Sequence, residues 1–488
     1  MSLPFLKRKH RLSDADSLPT FSRTPSPLPM STYGLTKRGV RFFLLTTVIF
    51  LALVGLLYNN DVVSRYLSRR LPPLYEKYRQ RELHLPHYKE YEKRKDIKYF
   101  WAANHAHSSG WGNVMQDFVM MGLLAHATGR SFVFNDYVWN PDGSQYSDYN
   151  GKLIPSRIPL SALLGGPMVG GEMPYGDNTP RAVAPGFFEK VCPNPTVLRV
   201  EDINDHYMRF DDGASATLVF DTWVKKINSV EDPCVKIDKN DIPIFEFWIF
   251  GNKNRMLPIW SHLKTSPIAT HWGWSPLIHD AYQRNRHLFL PTPETSIAGR
   301  LLSSPSEEDY TRPIPGLLAL HVRRGDFENH CQHLANWSSD WNAFNTFPEF
   351  LDKFDRPTDG GWGETSEKNM QMYIKRCYPS IEQIVEKVAA VRAASKDPLK
   401  YLYIMTNGAV SWVEELKKAL ADADSWDHVG SSRDLKLTWE QKFVAQALDM
   451  FVAQRAQVLI GNGWSSLTSN VVMLRMASGM SPDTNRFW

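Results

Sequence analysis

From residue 317 onward the chain alternates short apolar runs with amphipathic stretches, and that alternation constrains the fold more than any other feature. Leu317-Leu-Ala-Leu-His321 reads as a strand, Ile381 to Ala394 as a helix, Tyr401-Leu-Tyr-Ile-Met405 as a strand and Val413 to Ala421 as a helix. Thr438 and Gln441 have the spacing of a capping box. Behind them Phe443, Val444, Ala447, Leu448, Phe451 and Val452 make one apolar stripe, which predicts a single helix. Val458-Leu-Ile460 is the following strand, and Ser466 to Met476 a further helix. Strands that alternate with helices build a mostly parallel sheet covered on both faces, so the expected class is α/β.

A second α/β region is expected to begin near residue 96. Lys98-Tyr-Phe-Trp-Ala is a short strand, and a glycine- and histidine-rich loop follows at Asn104–Gly112. Val114, Phe118, Gly122 and Ala125 share one helical face, Gly129 is placed as the stop, and Ser131-Phe-Val-Phe134 is a second strand. Residues 135–310 are rich in proline, glycine and aromatics and show no single period. Their aromatic islands include Trp248, Trp260, Trp272 and Trp274, which read either as core or as a binding platform.

Composition separates the amino terminus from the rest. The chain has 488 residues, 43% hydrophobic and 22% charged, with a net charge of +4. That balance excludes wholesale disorder and lacks the basic excess of a nucleic-acid binder. Residues 1–41 hold eight lysines and arginines against two aspartates, a balance of +6, among prolines and serines that cannot bury a core. The remainder therefore carries −2, and the basic excess belongs to the tail. Phe42 to Tyr58 is free of charge for seventeen residues. At ~1.5 Å per residue it would span roughly 25 Å as a helix, adequate for a thin bilayer. A cleaved signal peptide and a buried core helix are the alternatives. The long basic flank favours a signal-anchor with a cytosolic tail, a type II layout. Asn59 to Lys95, with mixed charge and many tyrosines, reads as a stem.

Four cysteines exclude a disulfide scaffold but fit an oxidising lumen. Pairing of neighbours, Cys192 with Cys234 and Cys331 with Cys377, is the expected connectivity; four free thiols are the alternative. Asn336-Trp337-Ser338 is an N-glycosylation sequon, meaningful only in a lumenal segment.

Three segments carry chemistry. His321-Val-Arg-Arg-Gly-Asp326 follows a strand, where open parallel sheets bind ligands, and guanidinium groups suit phosphate oxygens. Its plain alternative is a surface arginine pair bridging Asp326 and Glu328. Ile460-Gly-Asn-Gly-Trp-Ser465-Ser466 is a strand, a glycine turn and a helix start, hence an anion site or simple serine capping. Gly110-Trp111-Gly112-Asn113 opens the first helix and matches a dinucleotide fingerprint only in part, because Met115 stands in place of the third glycine. No metal site is expected: His105 and His107 lack a third ligand, and Asp422-Ala-Asp424 reads as a solvated helix end.

These segments, in this order and with Asp449 ahead of the glycine turn, resemble the GDP-fucose fucosyltransferase superfamily, particularly its protein O-fucosyltransferase-like branch. The resemblance covers roughly residues 317–476, is thinner over 96–135, and is absent from 135–310. It implies a GT-B-like α/β architecture of two Rossmann-like domains facing a cleft, which the single N-terminal transmembrane helix read above would precede. With the amino-terminal readings above, the expected divisions are a disordered basic tail (1–41), a signal-anchor (42–58), a stem (59–95), an acceptor-side α/β domain (96–310) and a GDP-sugar-binding domain (311–488). His321 and Arg323 would contact the phosphates of GDP, Ser465 and Ser466 the β-phosphate, and Asp449 would lie near the guanosine. Asn113 would reach in from the first domain, Arg324 and Asp326 would join the donor site, and Arg323 would be the catalytic group. The implied activity is inverting, metal-independent transfer of fucose from GDP-fucose to a secretory protein or glycan hydroxyl in the Golgi or endoplasmic reticulum membrane, with no cofactor and no nucleic-acid partner. Another nucleotide sugar, or a membrane-tethered carbohydrate- or protein-binding pseudoenzyme, are the rival readings. Relatives that place a glutamate base in the first glycine loop differ from this chain, which has Trp111 there, so no general base is named.

Overall fold

The computed structural model describes residues 42, 44–50, 71–205, 213–290, 308–357, 361, 363 and 365–488. The chain divides into two compact units, residues 1–67 and 68–488. In the first, residues 42 and 44–50 are helical with exposed apolar side chains; the tail (1–41) and the rest of the expected anchor lie outside the described residues. Among the described residues no helix is long and apolar enough to cross a membrane.

The second unit contains two parallel sheets. The first is built from β1 (Tyr99–Ala102), which leads through a loop into α1 (Trp111–Ala127) and then β2 (Ser131–Phe132). It is completed by β3 (Thr196–Leu198), α2 (Ala216–Asn228) and β4 (Cys234–Ile237), in the order β2-β1-β4-β3 with every pairing parallel. Gly129 takes the left-handed conformation just after α1, the stop expected from the sequence. Cys192 and Cys234 form one disulfide, which ties the segment before β3 to β4.

The second sheet begins with β5 (Ile314–Val322), followed by α3 (Phe327–Asn336), α4 (Glu367–Cys377) and α5 (Ile381–Ala394). Then come β6 (Tyr401–Thr406), α6 (Val410–Ala423), β7 (His428–Ser431), α7 (Trp439–Lys442) and α8 (Ala445–Arg455). The chain closes with β8 (Ala456–Gly461), α9 (Ser466–Ala477) and β9 (Asn485–Phe487). The strand order is β7-β6-β5-β8-β9, all parallel. The first strand, β5, is central, and the connections run outward from it in both directions. The switch in direction lies between β5 and β8, and there the carboxyl ends of the strands leave a crevice.

Alternation along the strands assigns each face its core. Leu318, Leu320 and Val322 pack with Leu402, Ile404, Ile384, Val388, Leu416 and Leu420, beneath α5 and α6. Leu317, Ala319, Tyr403 and Met405 turn to the other face and join Leu448, Phe451, Val471 and Leu474 of α8 and α9. The second disulfide, Cys331–Cys377, joins α3 to α4. Both neighbour pairings are those expected from the sequence.

Two expectations need correction. The helix predicted behind the capping box is broken: Thr438 and Gln441 do form the box, but Val444 leaves helical geometry and separates α7 from α8. Val444, Ala447, Leu448, Phe451 and Val452 are nevertheless buried, so the apolar stripe survives the break. The described part of the expected stem is not a spacer. Helices Glu76–Leu83 and Tyr88–Tyr91 bury Tyr75, Tyr78, Tyr88 and Tyr91 in the globular core. Tyr75 Oη donates to the Glu440 carbonyl at 2.7 Å, and the Tyr88 ring stacks on Phe187 at 3.9 Å. Tyrosines on one face and charges on the other make this segment amphipathic, and the tyrosines decide where it goes.

Arg475 on α9 shows what locks the end of the second sheet. It is fully buried, with Nε donating to Asn485 Oδ1 at 2.7 Å, Nη1 to the Ala453 carbonyl at 3.0 Å and Nη2 to Thr484 Oγ1 at 2.9 Å. Burial lowers its pKa to about 9, still charged at neutral pH. Arg475→Leu strands several buried acceptors and is expected to cost at least about 3 kcal/mol in denaturant unfolding. A loss below about 1 kcal/mol would show that water replaces the guanidinium.

Candidate active site

At the crevice of the second sheet, β5 runs into His321-Val-Arg-Arg-Gly-Asp326. Gly325 has φ +61°, a left-handed turn that glycine adopts without strain. Asn407, just beyond β6, clamps this turn: its Oδ1 accepts from the Arg324 amide at 2.7 Å, and its Nδ2 donates to the Arg324 carbonyl at 2.8 Å and to Asp326 Oδ1 at 2.9 Å. Arg323 is set over the Phe327 ring at 4.5 Å and pairs with Asp326 at 3.2 Å, while its buried Nε has no hydrogen-bond partner among the described residues.

Across the switch point, β8 ends in Gly461-Asn-Gly-Trp464. Asn462 Oδ1 accepts from the Trp464 amide at 3.0 Å, and Asn462 Nδ2 donates to the Cys377 carbonyl at 2.7 Å, fixing the turn. Ser465 then stands at the start of α9, but its hydroxyl makes no capping bond. The simple capping reading therefore fails, and the first turn of α9 keeps its donors for another partner. α1 likewise starts without a side-chain cap, at Gly110.

The amino ends of α1 and α9 meet. A Cβ added at Gly112 would stand 2.7 Å from Ser466 Oγ and 2.8 Å from the Leu467 amide nitrogen, so only glycine permits the approach. Buried Asn470 Nδ2 donates to the Gly112 carbonyl at 2.7 Å and holds the contact. Two helix amino termini, each equivalent to a partial positive charge, thus open on the same space.

That space is a cleft of about 600 Å³, lined by Gly110–Asn113, Arg323, Asp326, Ser465 and Ser466 together with Tyr137, Trp139, His330, Lys442, Phe443 and Gln446. The structure brings together Asn113, Arg323, Asp326, Ser465 and Ser466. It places the other three expected residues elsewhere. His321 lies beneath the cleft, 4% exposed, with Nδ1 2.7 Å from Thr468 Oγ1. Burial, reinforced by Arg323, pushes its pKa down to about 3, so it is neutral. Arg324 points to the opposite face, between Tyr378 at 4.3 Å and Trp412 at 4.0 Å, and donates to the Arg323 and Pro379 carbonyls. Asp449 on α8 accepts from Tyr403 Oη at 2.7 Å and from Ser432 Oγ at 3.0 Å. Burial raises its pKa to about 6 against those hydroxyls and Arg433.

Lys442, His330 and Gln446 were not singled out from sequence. They belong to α7, α3 and α8, and only the tertiary packing aims them at the cleft. Asn407 is a positioning residue whose signal was available, a polar side chain directly after a parallel strand that neighbours β5. Asp422 and Asp424 sit at the end of α6, where Asp424 pairs with Arg392 at 2.7 Å. Among the described residues no group of three or more His, Cys, Asp and Glu side chains is placed to hold a metal ion.

Gly112→Ala forces α1 and α9 apart at their amino ends. It is expected to weaken binding of inorganic pyrophosphate at least tenfold in a calorimetric titration while the chain remains folded. Unchanged affinity would show that the two termini act independently of each other.

Residues 283–477 match the family model described as GDP-fucose protein O-fucosyltransferase. Comparison with curated proteins gives no match. Among solved structures, POFUT1 in complex with GDP-fucose is 16% identical, covering 81% of this chain and 99% of that one with a TM-score of 0.45. The NodZ alpha-1,6-fucosyltransferase soaked with GDP-fucose is 11% identical, covering 77% and 92% with a TM-score of 0.31. A variant of Arabidopsis thaliana FUT1 in complex with GDP is 13% identical, covering 83% and 78% with a TM-score of 0.33. The matched residues 283–477, which include β5 with its arginine turn and β8 with its serine helix, are thus similar to the GDP-fucose protein O-fucosyltransferase family.

Proposed function

We propose that the enzyme transfers fucose from GDP-fucose to an acceptor hydroxyl, with inversion and without a metal ion. The observation that carries this reading is the convergence of Arg323 with the uncapped amino ends of α1 and α9 on one cleft. Cleavage of the sugar–phosphate bond leaves new negative charge on the β-phosphate. A guanidinium, two serine hydroxyls and oriented backbone amides stabilise that charge more than the ground state, and they need not reorganise during the step. Arg323 is the catalytic residue in this account, and Asn113, Ser465 and Ser466 bind the donor. The Asn407 contacts and the buried His321–Thr468 contact hold the two strand ends in place. Arg324 acts by packing rather than by touching the donor. Asp326 lines the cleft but is engaged by Arg323 and Asn407, so its first role is to orient Arg323.

The basic tail ahead of an uncharged stretch supports a type II membrane protein of the Golgi or endoplasmic reticulum. Two disulfides in the globular unit support a lumenal location for it.

GDP release by the detergent-solubilised full chain, tested with GDP- and UDP-sugars with and without EDTA, checks the donor and the metal independence together. Turnover with GDP-fucose in EDTA is expected; turnover only with UDP-sugars and manganese would refute the proposal. Arg323→Ala is expected to abolish turnover while changing unfolding free energy by less than ~1 kcal/mol. Normal turnover in that variant would remove Arg323 from the chemistry.

A further inference from the structure

The donor cleft adjoins a second space of about 760 Å³, and four residues line both: Asn113, His330, Trp464 and Ser466. Arg323 and the amino ends of α1 and α9 mark the phosphate end of the cleft. In an inverting step the attacking oxygen enters opposite the leaving phosphate, so its proton must be taken up away from that end. An amide, an indole and a serine hydroxyl take up no proton at neutral pH, whereas a neutral imidazole does. Of the four shared residues only His330 can act as a base.

The fold holds His330 in place and leaves it uncommitted. It lies one turn along α3 from Phe327, whose ring carries the Arg323 guanidinium at 4.5 Å and the His330 ring at 4.9 Å. Its neighbour Cys331 ties α3 to α4 through the disulfide to Cys377. Neither ring nitrogen of His330 is hydrogen-bonded among the described residues. The rival carboxylates are placed less well. Asp326 is engaged by Arg323 and Asn407, and Asp340 lines the second space but not the cleft.

We infer that His330 is the general base of the transfer. The inference rests on the donor reading above. The acceptor oxygen bonds to C1 of the sugar and its proton passes to a free ring nitrogen of His330. The bond from C1 to the β-phosphate oxygen breaks, and its electron pair stays on that oxygen beside Arg323. The imidazolium then returns the proton to water. Burial, with Arg323 and His333, lowers the His330 pKa from the ordinary imidazole value, and Asp326 opposes them. The ring is therefore neutral, hence basic, at neutral pH. Lys442 in the cleft and Asp340 and Arg356 in the second space complete the charged lining.

GDP release from GDP-fucose by the full chain in detergent tests this, with water as the acceptor, with and without sodium azide, across pH. Azide attacks carbon without having a proton to lose. His330→Ala is expected to slow hydrolysis roughly a hundredfold or more, the scale of a lost general base. It should also abolish the wild-type fall in rate toward acid, which reports protonation of His330. Azide is expected to restore GDP release in this variant and to give fucosyl azide of inverted configuration. Melting temperature and pyrophosphate affinity are expected to stay at wild-type values, and His330→Gln, which also cannot take up a proton, serves if the alanine variant does not fold. Wild-type hydrolysis in the variant, a retained acid limb, or a folded variant that azide fails to rescue overturns the inference. Rescue confined to Asp326→Asn or Asp340→Asn overturns it too. Wild-type release without rescue of the variant defeats this inference alone, whereas no release by the wild-type chain with either nucleophile defeats the donor reading and this one with it.

Discussion

The close approach of two helix amino termini is the constraint on which the site depends. Gly112 has no side chain because Ser466 and the Leu467 amide occupy the space, and Asn470 fixes the distance by bonding to the Gly112 carbonyl. Each helix belongs to a different sheet, so this contact, with others such as Gln116–Asn342 and Trp274–Gln454, registers the first sheet against the second. It also concentrates unpaired amide donors at one point. Like dipole ends repel, and the arrangement stores an electrostatic cost that an anion relieves. A cleft with this character is preorganised for an anion before any ligand arrives.

The second sheet was legible in the sequence because its strands are buried on both faces and its helices carry clear apolar stripes. β5, β6 and β8, with α5, α6 and α9, lie where the alternation places them. The first βαβ unit was legible for the same reason. Most of residues 135–310 was not, because apart from α2 and the helices Pro185–Val191 and Pro276–Arg284 the described residues there form short strands and single-turn helices, and such pieces have no length over which a period can show. The segment before residue 96 misled through its charge. Its tyrosines at one face carry the packing, and counting charges overlooks which face they leave.

At the site, residue types were easier to read than directions. In extended backbone, neighbours point to opposite sides, so His321 and Arg323 share a face with Ala319 while Arg324 follows Val322 and Leu320 to the other. Arg324 accordingly lies between Tyr378 and Trp412, against the core under α5 and α6, and its doubling in the motif serves the turn. The parity was available from the sequence. What was not available is the aim of Lys442, His330 and Gln446, which depends on how α3, α7 and α8 pack. The serines of α9 gave the opposite lesson: a helix start usually uses its serine as a cap, and here the hydroxyl remains uncommitted.

The decisive measurement is a crystal structure of the full chain or its complex with GDP at a resolution that places the phosphates. The account predicts the β-phosphate within hydrogen-bonding distance of Arg323 and of the Ser466 amide or hydroxyl, at the meeting of α1 and α9. A diphosphate bound anywhere else, in particular on the opposite face beside Arg324, would contradict it.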